Sequence, residues 1–404
     1  MEAGLRADAT LDLGELGLDQ GGHLLIKRAL RGLAVGGRLA IAGSHRELGV
    51  HLRGWARAQG HGTEWPEAGA VAVLIRGGAE DGRWRGAEQT GHADPEAAGA
   101  VVERPPQTWG LAGRGARVEA GAPAFSFAID HKVQVWADEA ARIYQQAVAA
   151  QWDPNTAIDW EQSVELPDEV EDAVVQVMTY LIENETAALL VPARFLAQIH
   201  PHFKEVLQVL AVTAADEARH IEVFTRRALL KRSELALSTA GGQASLKTLV
   251  DEPDFALASF LLSVLGEGSF LSLLWFLHEH APDPLTRQIA QLTAQDEARH
   301  VAFGLAHLRR HVEADPAERA RLADAVHRRH DALQHTAGLN EEVFDALILL
   351  AAGSWEHAAL KSGFERVVAL KQDMDKGRRK RLLKLGFGED EANALSALHT
   401  RNFM

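Results

Sequence analysis

Two identical pentapeptides, Asp216-Glu217-Ala218-Arg219-His220 and Asp296-Glu297-Ala298-Arg299-His300, stand 80 residues apart in this chain. Five-residue identity points to an internal duplication, and each copy carries Glu-x-x-His in a helix-forming context. On a helix, residues i and i+3 share a face one turn apart, so each copy presents a carboxylate and an imidazole together. A solvated, charged stripe would account for the acids and arginines but not for two histidines. The spacing is that of metal ligands.

Composition narrows the chemistry. The 404 residues are 47% hydrophobic and 24% charged, a soluble-globular balance with length for two or three domains. A net charge of -14 and a pI near 5.7 argue against nucleic-acid binding. The one dense basic run, 376–384, reads as a solvated helix face. Cysteine is absent, so any metal must be held by oxygen and nitrogen donors. Residues 1–22 lack a basic-then-apolar signal pattern, and no apolar stretch is read as reaching the ~18 residues of a membrane span, so a cytoplasmic location is expected.

Residues 1–78 read as a small α/β unit: helix over 24–33, strand over 38–42, helix over 48–59 and strand over 70–76, separated by Gly36-Gly37 and Gly77-Gly78. Residues 79–128, rich in Gly, Ala, Arg and Pro, read as a linker with a short strand at 124–128. Residues 129–404 are helical in pattern. Helices are expected over 130–152; from Pro167 onward with the stripe Val170, Val174, Val177, Leu181 and Ala188 and a kink or stop at Pro192; and over 203–230, 255–280, 284–315, 317–334, 341–368 and 378–385. Gly241-Gly242 reads as a break. The helices after Pro316, with the tail 398–404, are expected to cover the bundle or form a dimer contact.

A helical di-metal site takes a glutamate from each of two helices and Glu-x-x-His from each of two others. Glu185 and Glu267 fill the first role. Glu185 and Glu217 each lie 16 residues from Pro201, and Glu267 and Glu297 each lie 15 from Pro282. In hairpins turning at those prolines, the carboxylates stand at equal heights, roughly 22–24 Å from the turn. Glu183 sits about 200° around the helix from Glu185, so only one of them can face the metals, and the equal distance to Pro201 favours Glu185. Thr213 and Thr293, four residues before each motif glutamate, are placed as lining a cavity. Gly266 and Gly268, each costing about 1 kcal/mol in a helix interior, are read as close packing or as room for dioxygen or substrate. Six such ligands suit Fe or Mn better than zinc.

On these residues the segment 130–310 resembles the ferritin-like di-iron carboxylate family. Its oxygenase branch, with the bacterial multicomponent monooxygenases and the arylamine N-oxygenases, is the nearest. The matching stretches are Asn184-Glu185-Thr186-Ala187-Ala188, Gly266-Glu267-Gly268-Ser269-Phe270 and the two pentapeptides. The resemblance implies a mainly α protein, a ferritin-like four-helix bundle with extra C-terminal helices. It implies two Fe ions, with Mn as the alternative. Glu185, Glu217 and His220 would hold one half of the site and Glu267, Glu297 and His300 the other, with Glu217 and Glu297 bridging. Asp216 and Asp296 would each orient a ligand histidine through its other ring nitrogen. The arylamine N-oxygenases carry a further histidine where this chain has Thr293, which leaves six ligands.

Leu11-Asp12, the helix from Leu24 to Leu30, Gly37-Arg38-Leu39-Ala40-Ile41 and Trp55-Ala56 are similar to the TusA/SirA-type sulfur-carrier domain. That family opens its first helix with Cys-Pro; here Leu18-Asp19-Gln20-Gly21-Gly22 stands instead, so a scaffold for docking or dimerisation is expected, without sulfur chemistry. The expected activity of the whole is a monooxygenase-type di-iron oxidoreductase that uses dioxygen on a small organic substrate in an apolar cavity, with electrons from an external donor. Desaturase, N-oxygenase-like, manganese catalase or ferroxidase, and non-catalytic metal-stabilised binding roles are the alternatives. Neither nucleic acid nor membrane is expected as a partner; a homodimer is.

Overall fold

Alternating apolar residues build the strands of one unit, and 3.6-residue stripes build the helices of another. The computed structural model describes residues 6–68, 70–334 and 341–398. It divides the chain into residues 1–90 with 116–123, and residues 91–115 with 124–404. Residues 399–404, read above as part of a cover or dimer contact, lie outside the described residues.

In the first unit the elements are β1 (Ala9–Asp12), α1 (Gly22–Arg31), β2 (Arg38–Ala42), α2 (Leu48–Ala58), β3 (Gly62–Glu64) and β4 (Ala72–Ile75). The sheet order is β1-β2-β4-β3. β1 runs parallel to β2, with Ala9 opposite Leu39, and β4 pairs antiparallel with both β2 and β3. Ile26, Leu30, Leu39, Ile41, Leu52 and Leu74 form its core. A short α3 (Ala79–Arg83) follows, and β5 (Glu88–Gln89) pairs antiparallel with β6 (Arg117–Val118).

The expected linker is therefore shared between the units. Its 91–115 part belongs to the helical unit, where Ala100, Val101 and Trp109 are buried and Arg114 donates to Glu205 at 2.8 Å. The strand expected at 124–128 does not form; a single bridge joins Ile129 to Ile199.

The helical unit runs α4 (Lys132–Val135), α5 (Ala140–Ala149), α6 (Pro154–Ala157), α7 (Asp168–Leu196), α8 (Lys204–Ala228), α9 (Ala240–Val250) and α10 (Phe255–Ser259). A π-helical stretch, Phe260–Glu267, leads without a break into α11 (Gly268–His280). Then come α12 (Pro284–Ala314), α13 (Glu318–Leu333), α14 (Glu341–Ala352), α15 (His357–Lys384) and α16 (Glu389–Ala397). α7 packs along α8, α11 along α12, and α12 against α8, which makes a four-helix bundle; α14 and α15 cover α7 and α11. Every residue of the stripe predicted on α7 is buried.

Local chemistry corrects several boundaries. The helix expected over 130–152 is broken because Trp136 is extended and donates to Asp138 at 2.8 Å. α7 runs through Pro192, which sits in its last turns, where few downstream residues depend on the lost bond. Gly241 and Gly242 lie inside α9, started by the Thr239 hydroxyl accepting from Gly242 N at 3.0 Å. The helix expected over 341–368 breaks at Gly353, whose φ of 71° suits glycine. The span Phe255–His280 is long and apolar enough to cross a membrane, with mean hydropathy 1.8, contrary to the expectation above; 83% of that window is buried inside the fold. The run 376–384 is not a wholly solvated face, since Arg378 and Arg381 point inward and are buried.

Candidate metal centre

Each bundle helix brings its acids to one level. Glu185 comes from the middle of α7, Glu217 and His220 from α8, Glu267 from the end of the π-helical stretch, and Glu297 and His300 from α12. Glu183, by contrast, is only half-buried. The six gather into two overlapping sets: Glu185, Glu217, His220 and Glu297, and Glu217, Glu267, Glu297 and His300. Within each set the ligand atoms lie within 4.8 Å of one another. Glu217 and Glu297 belong to both. The two rings aim Nδ1 inward: His220 Nδ1 is 3.1 Å from Glu217, 3.3 Å from Glu297 and 3.5 Å from Glu185, and His300 Nδ1 is 3.0 Å from Glu217 and 3.4 Å from Glu297.

A buried polar atom without a partner costs about 1–3 kcal/mol. Both carboxylate oxygens of Glu267 and of Glu297, one each of Glu185 and Glu217, and Nδ1 of His300 are buried without a hydrogen-bond partner. Such a concentration of lone pairs is what cations at the centre would compensate, and the oxygen and nitrogen donors fit Fe or Mn.

The protonation pattern agrees. Burial, reinforced by the neighbouring carboxylate charges, pushes Glu185 and Glu267 well above the usual carboxylate range. Burial opposes charge on the histidines too, yet the bond to Asp296 and the surrounding glutamates raise His220, and the charges of Glu297 and Glu217 raise His300. Without cations the cluster gathers protons, which metal binding would displace.

The aspartates cross over. His220 Nε2 donates to Asp296 at 3.1 Å and His300 Nε2 to Asp216 at 3.3 Å, so each acid steadies the imidazole of the other pentapeptide. Although burial works against ionisation, these bonds hold both aspartates below their ordinary range. Arg219 donates to Asp216 at 2.5 Å and to Asp296 at 2.9 Å, and Arg299 also donates to Asp296. From the segment after α5, Gln151 donates to Asp216 at 2.7 Å and Trp152 Nε1 to Asp296 at 2.8 Å; the Arg219 guanidinium lies 4.6 Å above the Trp152 ring.

The roles of Gln151, Trp152, Arg219 and Arg299 are additions to the sequence reading. The arginines recur three residues after each aspartate, a legible signal, whereas no local pattern marks Gln151 or Trp152.

Beside Glu267 and His300 lies a largely apolar cavity of about 30 Å³, walled by Val191, Pro192, Phe195, Thr213, Phe255 and Phe303 among others. Thr213 lines it as expected. Thr293 is fully buried with its hydroxyl unpartnered and is not in this wall. Gly266 and Gly268 do not line it either: the space beside Gly268 is filled by the Arg381 side chain, so that glycine serves packing and not dioxygen or substrate.

No family model matches the sequence, and no curated protein does. Among solved structures, the chain is similar to an R2-like ligand-binding oxidase with an aerobically reconstituted Mn/Fe cofactor: 20% identity and TM-score 0.43, covering 66% of this chain and 94% of that one. The same oxidase after photoconversion matches at 19% identity and TM-score 0.43, covering 66% and 95%. A single-residue variant with an anaerobically reconstituted Mn/Fe cofactor matches at 18% and 0.46, covering 63% and 95%. At such identities the activity has to be argued from the site.

Proposed function

We propose that the helical unit is a di-metal oxidase that uses dioxygen, with two Fe ions, or Fe and Mn, held by Glu185, Glu217, His220, Glu267, Glu297 and His300. The observation that carries this reading is the convergence of six buried ligand side chains, five of which keep buried oxygen or nitrogen atoms without a hydrogen-bond partner. Glu217 and Glu297, common to both sets, would be shared by the ions, and with Glu185 and Glu267 they make four carboxylate charges that would balance two divalent cations. When bound, such a pair supplies redox electrons and Lewis acidity for dioxygen reduction.

The chain's own residues do the rest. Asp296 and Asp216 hold the Nε2 protons of His220 and His300, which keeps each Nδ1 lone pair directed at the centre. Phe255, Phe303, Phe195 and Val191 keep bulk water from the space beside Glu267. A cavity of about 30 Å³ has room for dioxygen or a water or two. Oxidation of a small organic molecule, of monooxygenase type, would require that wall to open, and electrons for repeated turnover would come from an external donor. The N-terminal unit we read as a TusA-like scaffold without sulfur chemistry.

Anaerobic loading with Fe(II), followed by dioxygen-electrode and absorbance measurements, tests the proposal. Stoichiometric dioxygen uptake coupled to iron oxidation is expected, lost in Glu217→Ala. Loaded protein that consumes no more dioxygen than free Fe(II) would rule the oxidase reading out.

A further inference from the structure

The two halves of the site are not built alike. Glu185 sits on regular α-helix, and the residue after it, Thr186, is exposed. Glu267 ends a π-helical stretch, a wider turn that is rare and is frequently found at functional sites. The residue after it, Gly268, leaves a gap filled from outside the bundle by Arg381 of α15. A Cβ on Gly268 would collide with that guanidinium, lying 2.8 Å from Nη2. Arg381 Nε donates to the carbonyl oxygen of Val264, inside the wide turn, at 2.6 Å. One turn earlier, Arg378 donates to Ser269 and to Ser396, both at 3.3 Å.

Among the described residues neither guanidinium bonds a carboxylate, and Arg381 Nη2 is buried without a partner. Burying a charge this way is expensive, and a leucine or methionine would fill the same volume. What arginine adds is a directed donor to the turn that carries Glu267.

We propose that Arg381 is a positioning residue for Glu267: seated against Gly268 and bonded to Val264, it holds the wide turn in the form that points Glu267 at the ion shared with His300. This inference rests on the metal-centre reading above. It makes the Glu267 half dependent on α15, while the Glu185 half is independent of it.

The test uses the full chain and Co(II), titrated anaerobically, with Glu185→Ala and Glu267→Ala assigning the two binding phases. Arg381→Ala is expected to weaken the His300-side ion about tenfold or more, to leave the His220-side ion within about twofold, and to speed amide exchange at 260–268 in the metal-free protein. Gly268→Ala should do the same alone and add nothing in the Arg381→Ala background, where its methyl has room. Equal weakening of both ions, no change in either, unchanged exchange at 260–268, or additive effects of the two substitutions would overturn the proposal. A wild-type chain that binds no Co(II) would remove the metal-centre reading, and the exchange of 260–268 would then decide the positioning role by itself.

Discussion

Asp296→Asn should weaken the ion held by His220, on the other pentapeptide, and spare the one held by His300 on its own helix. Asp296 Oδ2 accepts from His220 at 3.1 Å, Arg219 at 2.9 Å and Trp152 at 2.8 Å, while Oδ1 accepts from Arg299. Asparagine is nearly isosteric, but it is neutral and keeps one acceptor atom for these four donors. Bonds to charged acceptors contribute about 1.5–3 kcal/mol each, and losing a residue that orients a metal-ligating histidine lowers affinity about 10–100-fold, or about 1.4–2.7 kcal/mol. Competitive Co(II) titration in the Glu267→Ala background, where the His220-side ion remains, should show the loss; the Glu185→Ala background should not. Asp216→Asn should give the mirror image. Equal weakening of both ions, or loss confined to the His300 side, would refute the crossed arrangement.

Arg227 is fully buried and bonds Glu171 at 2.6 and 3.1 Å, Asp283 at 2.9 Å and Thr286 at 2.9 Å. Arg227→Met would strand two buried carboxylates, so urea unfolding should show a loss of about 3–5 kcal/mol. A Cβ on Gly304 would sit 2.5 Å from the Ser263 Cβ, so Gly304→Ala should destabilise by about 1–3 kcal/mol in thermal melts. Burial, with Arg114 beside it, lowers His202 to about 4, and its Nε2 accepts from Val102 N at 3.0 Å. The unfolded chain therefore takes up this proton first. The histidine's contribution is complete above about pH 6.5 and fades as pH falls towards about 4. His202→Gln, which keeps an acceptor, should flatten that part of the acid-stability curve.

Much of the centre was legible because metal ligation leaves a local signature. Glu-x-x-His shows in four residues, and a hairpin centred on a proline converts sequence distance into height, which located Glu185 and Glu267. The crossing of Asp216 and Asp296 was not legible, since it depends on how two hairpins face each other. Nor was the π-helical stretch, where the apolar run Phe260–Leu265 reads the same in either helix type. Arg381 was hidden for a related reason: a basic run looks solvated until the partner surface, here the gap beside Gly268, is known. Breaks such as Trp136 and Gly353 lay in stretches whose periodicity carried on across them.

The most direct measurement is the metal content of the full chain after anaerobic loading with Fe(II) or Mn(II) and exhaustive dialysis, read by elemental analysis. Two ions per chain in the wild type, and close to none when Glu217 and Glu297 are both replaced by alanine, are the predicted results. A wild-type chain with only trace metal, or a doubly substituted chain that keeps both ions, would contradict a centre built on those shared carboxylates.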